Sequence, residues 1–155
     1  MNLGARAENL ISEFASKQGV RGLAFDENDL IPIRLDGKLD IALGYSPAND
    51  AIFVFGIVAE HVDAERFDPW VAFERNQSLV ERRTRLSLNE GSTLVLSADA
   101  YLEGLSYPQF ASILDRFVAD LEAEISAFGA LGMTSGAPQA PTLPPEDGDA
   151  VIMRL

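Results

Sequence analysis

The sequence holds no cysteine and a single histidine, His61, among its 155 residues. Without thiols, disulfides, thiolate nucleophiles and cysteine-based zinc sites are excluded, and the lack of them agrees with a reducing compartment. A Ser–His–acid triad would have to be built on His61. That residue stands in "AEHVD" with no serine in a nucleophile elbow beside it, so it reads as a structural or solvent-facing histidine. Basic residues are scarce too: 12 Lys and Arg face 24 Asp and Glu, a net charge of −12. Such a surface opposes nucleic-acid phosphates and anionic lipid alike. Arg82, Arg83 and Arg85 form the one basic cluster and read as charges flanking a strand. The opening "MNLGARAENLISEF" lacks the basic segment and apolar run of a signal peptide, and no stretch is long and apolar enough for a bilayer. The expectation is a cytoplasmic protein that binds neither nucleic acid nor membrane.

Reactive constellations are also missing. "DENDLIPIRLDG" starts with Asp26 and Asn28 at calcium-loop spacing, but Leu30 takes a ligand position and Ile31 stands where the loop requires glycine. The glycines of "GALGMTSG" follow a helix, whereas a phosphate-binding loop needs them between a strand and a helix start. Asp115, Asp120, Glu122 and Glu124 fall away from the apolar stripe of the last predicted helix and read as its solvated face. No catalytic, metal or cofactor-binding residue is expected, and no cofactor.

What the chain does carry is apolar pattern, with a hydrophobic fraction of 47%. A single domain of this length buries roughly 70% of its unfolded surface. Leu3, Ala7, Leu10, Ile11 and Phe14 recur at helical spacing over residues 3–18, with Gly19 as a C-cap. "LIPIRL" and "LDIALGY" alternate as strands joined through Asp36-Gly37, a pair suited to a two-residue hairpin turn. Pro32 puts the first of these at a sheet edge or in an irregular pairing, because proline cannot donate to a ladder. "AIFVFGIVA", residues 51–59, completes a meander. Asp68-Pro69 starts a helix over residues 68–80, with Trp70, Phe73 and Val80 on one face. A second hairpin turns at Asn89-Glu90-Gly91-Ser92. Ser106 and Gln109 match a capping box ahead of the longest helix, whose stripe runs from Phe110 to Phe128.

These readings give an α+β fold, α-β-β-β-α-β-β-α, with one twisted antiparallel sheet packed by helices. It spans residues 1–128, and a Gly/Pro-rich tail, 129–155, follows. The tail ends in "AVIMRL", apolar enough to dock on a sheet edge. "AIFVFGIVA" raises a further question: Phe53, Phe55 and Ile57 lie on one face, Ile52, Val54 and Val58 on the other, and both are apolar. A strand with one wet face alternates apolar and polar residues. Helices cover one side of the sheet, so the other side is expected to associate with another polypeptide.

The pattern resembles the class I type III secretion chaperones of the Tir chaperone (CesT-like) family. The likeness rests on the first helix leading into "LAFDENDLIPIRLDGKLDIAL", on "FDPWVAFERNQSLVERRTRLSLNEGSTLVLSADAYLEGLS", and on the closing "LSYPQFASILDRFVADLEAEI". The resemblance implies a non-enzymatic, cytoplasmic bacterial homodimer. It would bind an N-terminal segment of a secreted effector in extended form and keep it stable and secretion-competent. By the family pattern Trp70, Phe73, Val80 and Leu86 are nominated for the dimer interface. Ile31, Ile33, Leu35, Phe53 and Phe55 are nominated for effector binding, partly through strand addition at a sheet edge. Two other readings stand beside it: a YbjN-like regulatory domain that binds a folded partner, and an enzyme working through carboxylates alone.

Overall fold

The computed structural model describes residues 4–19, 23, 25, 29–63, 65–89, 92–132 and 151–153. Leu3, the calcium-spaced Asp26 and Asn28, Glu90 and Gly91 of the second turn, and residues 133–150, 154 and 155 of the tail lie outside them. The elements run α1 (Gly4–Lys17), β1 (Leu30–Leu35), β2 (Leu39–Ser46), β3 (Ala51–Ala59), α2 (Pro69–Leu79), a 3-10 turn (Val80–Arg82), β4 (Thr84–Leu88), β5 (Leu94–Tyr101), α3 (Tyr107–Ala130) and β6 (Val151–Met153). The expected α+β order holds, with β6 added at the end.

Local chemistry sets the boundaries. Gly19 closes α1 at φ +68°, where its missing Cβ removes the steric penalty. The Asp68 carboxylate accepts from the Trp70 backbone N–H at 2.9 Å, and Pro69 follows at the first helical position. The Gln109 side-chain oxygen accepts from the Ser106 backbone N–H at 2.9 Å, as a capping box requires. Asp36 and Gly37 both take positive φ, and the Lys38 N–H donates to the Leu35 carbonyl at 3.0 Å. The ladder itself joins Leu35 to Leu39, so the loop carries one residue more than a simple two-residue turn.

The strands form one sheet in the order β4-β5-β3-β2-β1-β6. The first five pair antiparallel, and β6 runs parallel to β1. The apolar C-terminal segment thus docks on a sheet edge, as its composition suggested. α3 lies across β3 and β5 on one face, which we call inner, and α1 packs beside α3. Phe14 of α1 meets Phe110 of α3 edge to face, with centroids 6.1 Å apart. Ile52 and Val54 of β3, Leu43 of β2, Leu94 and Leu96 of β5, and Phe117, Leu121 and Phe128 of α3 make up one continuous core. Fully burying each such side chain contributes about 1.5–3 kcal/mol.

Two residues of the supposed solvated face are exceptions. Asp115 and Glu122 are exposed, but Asp120 and Glu124 are only 3% exposed. They stand one helical turn apart on α3 and point at two cations from the α2 region. Arg75 of α2 holds Glu124 bidentately, with Nη2 2.8 Å from Oε1, and stacks on the Phe128 ring at 5.9 Å. Arg82 of the 3-10 turn donates to Asp120, and the Thr84 hydroxyl donates to the same carboxylate at 3.3 Å. A lone buried carboxylate is costly, so each is present with its counter-ion. These pairs fasten α2 and the 3-10 turn to α3.

Candidate partner-binding surfaces

Among the described residues, no helix lies on the outer face of the sheet. The registers Ala42↔Phe55, Gly44↔Phe53, Phe55↔Ser97 and Ile57↔Val95 place these side chains together on that face. Phe53 and Phe55 are half-buried and stack with centroids 6.1 Å apart, 20° from parallel. The Phe53 ring lies over Gly44, where any side chain would collide with it. Ile57 is 43% exposed. The result is an apolar strip down the middle of the sheet. Ion pairs flank it: Arg34 grips Asp40 through Nε and Nη2 at 2.7 and 2.8 Å, and Arg85 Nη1 meets Asp99 at 2.6 Å. Each hydrogen-bonded carboxylate raises its guanidinium above the ordinary arginine range, against an opposing effect of desolvation. Both therefore stay charged and mark the borders of the strip.

A second apolar surface lies on α2. Trp70 is 70% exposed and Phe73 53%, and Val80, at the start of the 3-10 turn, is 70% exposed. Trp70 and Phe73 pack edge to face at 5.7 Å, so the two rings present one rigid patch. Leu86, grouped with them from the sequence, is buried beneath. Its backbone is instead what α2 reads. The Asn76 amide donates to the Leu86 carbonyl at 3.0 Å and accepts from the Leu86 N–H at 2.6 Å. One side chain thus occupies both polar groups that Leu86 turns outward at mid-strand, as a neighbouring strand would.

The third surface is the β1 edge. Ile31, Ile33 and Leu35 point into the core at 2–4% exposure, so their side chains are not offered to a partner. The strand's backbone edge is taken by β6 opposite Ile33–Leu35, and Pro32 and Arg34 lie on the outer face.

Of the nominated residues, the structure groups Phe53 with Phe55 and Trp70 with Phe73 at the surface, and leaves Val80 exposed on the 3-10 turn after α2. It sets Ile31, Ile33, Leu35 and Leu86 inside. Ile57 was placed on the face of Phe53 and Phe55 by alternation but not nominated, and Val95 joins them only through its pairing with Ile57 across the sheet. Asn76 carries no such signal, because its role depends on a partner ten residues away.

The family model for the Tir chaperone protein (CesT) family matches residues 9–123, which reach from within α1 into α3. The chain belongs to this family. No curated protein matches the sequence of this Tir chaperone family member. Solved structures do match its fold. A chain of the ExsC–ExsE complex superposes with a TM-score of 0.70 at 16% identity, covering 88% of this chain and all of that one. A chain of the HopA1–SchA chaperone–effector complex gives 0.69 at 15% identity, over 78% and 94%. One from the Yersinia pestis type III secretion chaperone SycH, in complex with a fragment of YscM2, gives 0.58 at 17% identity, over 74% and 96%. Among the described residues no acidic or histidine cluster could hold a metal ion, and no helix is long and apolar enough to cross a membrane.

Proposed function

We propose that this protein is a cytoplasmic, non-enzymatic homodimeric chaperone that holds an N-terminal segment of a type III secreted effector in extended form. The carrying observation is the pair of apolar surfaces that the described residues leave exposed, one on the sheet and one on α2, in a chain of this family. They lie on different elements and suit different partners. The α2 patch is compact, aromatic and rigid, which favours a self-complementary contact between two copies through Trp70, Phe73 and Val80. The sheet strip is long, shallow and bordered by charge, and Phe53, Phe55, Ile57 and Val95 would receive the apolar side chains of an extended client. The backbone edge of β1 is suited to pairing with a client strand. Leu86, Ile31, Ile33 and Leu35 support these surfaces from beneath.

The test is co-purification with a candidate effector followed by limited proteolysis. The reading expects one contiguous N-terminal stretch of the client to be protected, and expects a fragment of that stretch alone to bind without being folded. Binding only to a folded partner would favour the YbjN-like alternative. Loss of client binding in Phe55→Ser, with unchanged far-UV circular dichroism, would place the client on the sheet strip.

A further inference from the structure

The two edges of the sheet are closed in different ways. At β4 the closure is Asn76, a side chain of the folded domain. At β1 it is β6, in the parallel register Ile33↔Val151, Arg34↔Ile152 and Leu35↔Met153. β6 lies beyond the family match, which ends at residue 123, and beyond the last residue of α3. The intervening segment, 133–150, contains Pro138, Pro141, Pro144 and Pro145. A segment of that length can reach roughly 60 Å when extended.

The β1 edge is shaped to accept a strand. Its ladder with β2 runs through Pro32↔Ala42 without a register shift, so the donor that Pro32 lacks belongs on the outer edge. Arg34, two residues on, turns its N–H and C=O the same way, towards Ile152. The occupant is short, three residues in a parallel pairing, the less stable of the two ladder types per residue. Covalent linkage to the same chain compensates, since a linked segment can act at an effective concentration on the order of millimolar. Such a strand fills the edge yet yields to a longer one.

We propose that Val151–Met153 is a resident strand. It occupies the strand-accepting edge of β1 in the empty protein and is displaced when an extended apolar segment of a client pairs there. The inference rests on reading that edge as a client site. It makes the tail a competitor that sets how good a client strand must be, and it protects an otherwise open edge from pairing between copies.

The probe is a fluorescent peptide of residues 147–155 added to the full chain. The partner variant carries Val151→Pro, Ile152→Pro and Met153→Pro together, which removes every N–H of β6. The peptide should bind the variant at least tenfold more tightly than the unaltered protein, whose own tail competes. In parallel, the Arg34 amide should exchange hydrogen at least tenfold faster in the variant. Equal affinity for the two proteins, or binding to neither, overturns the proposal. So does an Arg34 amide in the unaltered protein that exchanges as fast as an exposed loop, or one whose protection rises with protein concentration, since the strand would then come from a second copy. No client enters this experiment. Its failure leaves the chaperone reading standing, and a client that fails to co-purify leaves the resident strand standing.

Discussion

Both faces of the sheet use the same device, a glycine that makes room for one large side chain, but with different consequences. On the inner face Gly56 lies against Leu121 of α3, and a Cβ there would stand 2.3 Å from Leu121 Cδ2. On the outer face Gly44 lies under Phe53, and a Cβ would stand 2.1 Å from its ring. Leu121 is fully enclosed, so an added methyl group has nowhere to push it. Phe53 has solvent above it and can swing away. The inner contact belongs to the subunit and contributes to its stability. The outer one shapes a surface whose value depends on what lands on it. Substitutions should therefore separate into those that unfold the protein and those that leave it folded but without partners.

The largest effect is expected between α2 and α3. Arg75→Met strips the bidentate partner from Glu124 and leaves a carboxylate buried without a counter-ion. Urea denaturation should show a loss of about 3–5 kcal/mol, the range for breaking a buried pair. Asn76→Ala comes next. It abandons the Leu86 N–H and C=O in a partly buried site and should cost about 1–3 kcal/mol. Gly56→Ala should fall in a similar range, about 1–3 kcal/mol, through overpacking against Leu121. Gly44→Ala, although it meets the closer contact, should cost less than about 1 kcal/mol because Phe53 can move. A Gly44→Ala loss as large as that of Gly56→Ala would remove the distinction between the faces. Phe55→Ser should be smallest in stability, within about 1 kcal/mol, and large in client binding.

Much of this was legible in the chain. Alternation, the Asp-Gly turn, the Asp68-Pro69 start and the Ser106/Gln109 capping box are local signals, and each element formed where its signal stood. The apolar content of both faces of β3 raised the question of what covers its second face. Which side is open needed the geometry, since Ile31, Ile33 and Leu35 were nominated together with Phe53 and Phe55 and lie on the opposite face. Other features were not legible because they depend on distant pairings. Asp120 and Glu124 resemble any acidic residues on a helix until Arg82 and Arg75 arrive from elsewhere in the chain. Asn76 has meaning only against Leu86. In β1, Ile31, Ile33 and Leu35 are apolar whether they line a groove or a core, and only the position of the helices decides it. The docking of Val151–Met153 was readable as a tendency, while the choice of the β1 edge required the sheet order.

The central claim is that a folded subunit leaves oily surface for a second polypeptide to cover, beginning with Trp70 and Phe73 on α2. The most direct test is light scattering on the purified protein at micromolar concentration, beside the double variant Trp70→Glu and Phe73→Glu. The account predicts twice the mass of one chain for the unaltered protein, and a single chain with unchanged far-UV circular dichroism for the variant. A monomeric unaltered protein, or a variant that still scatters as a dimer, would contradict it.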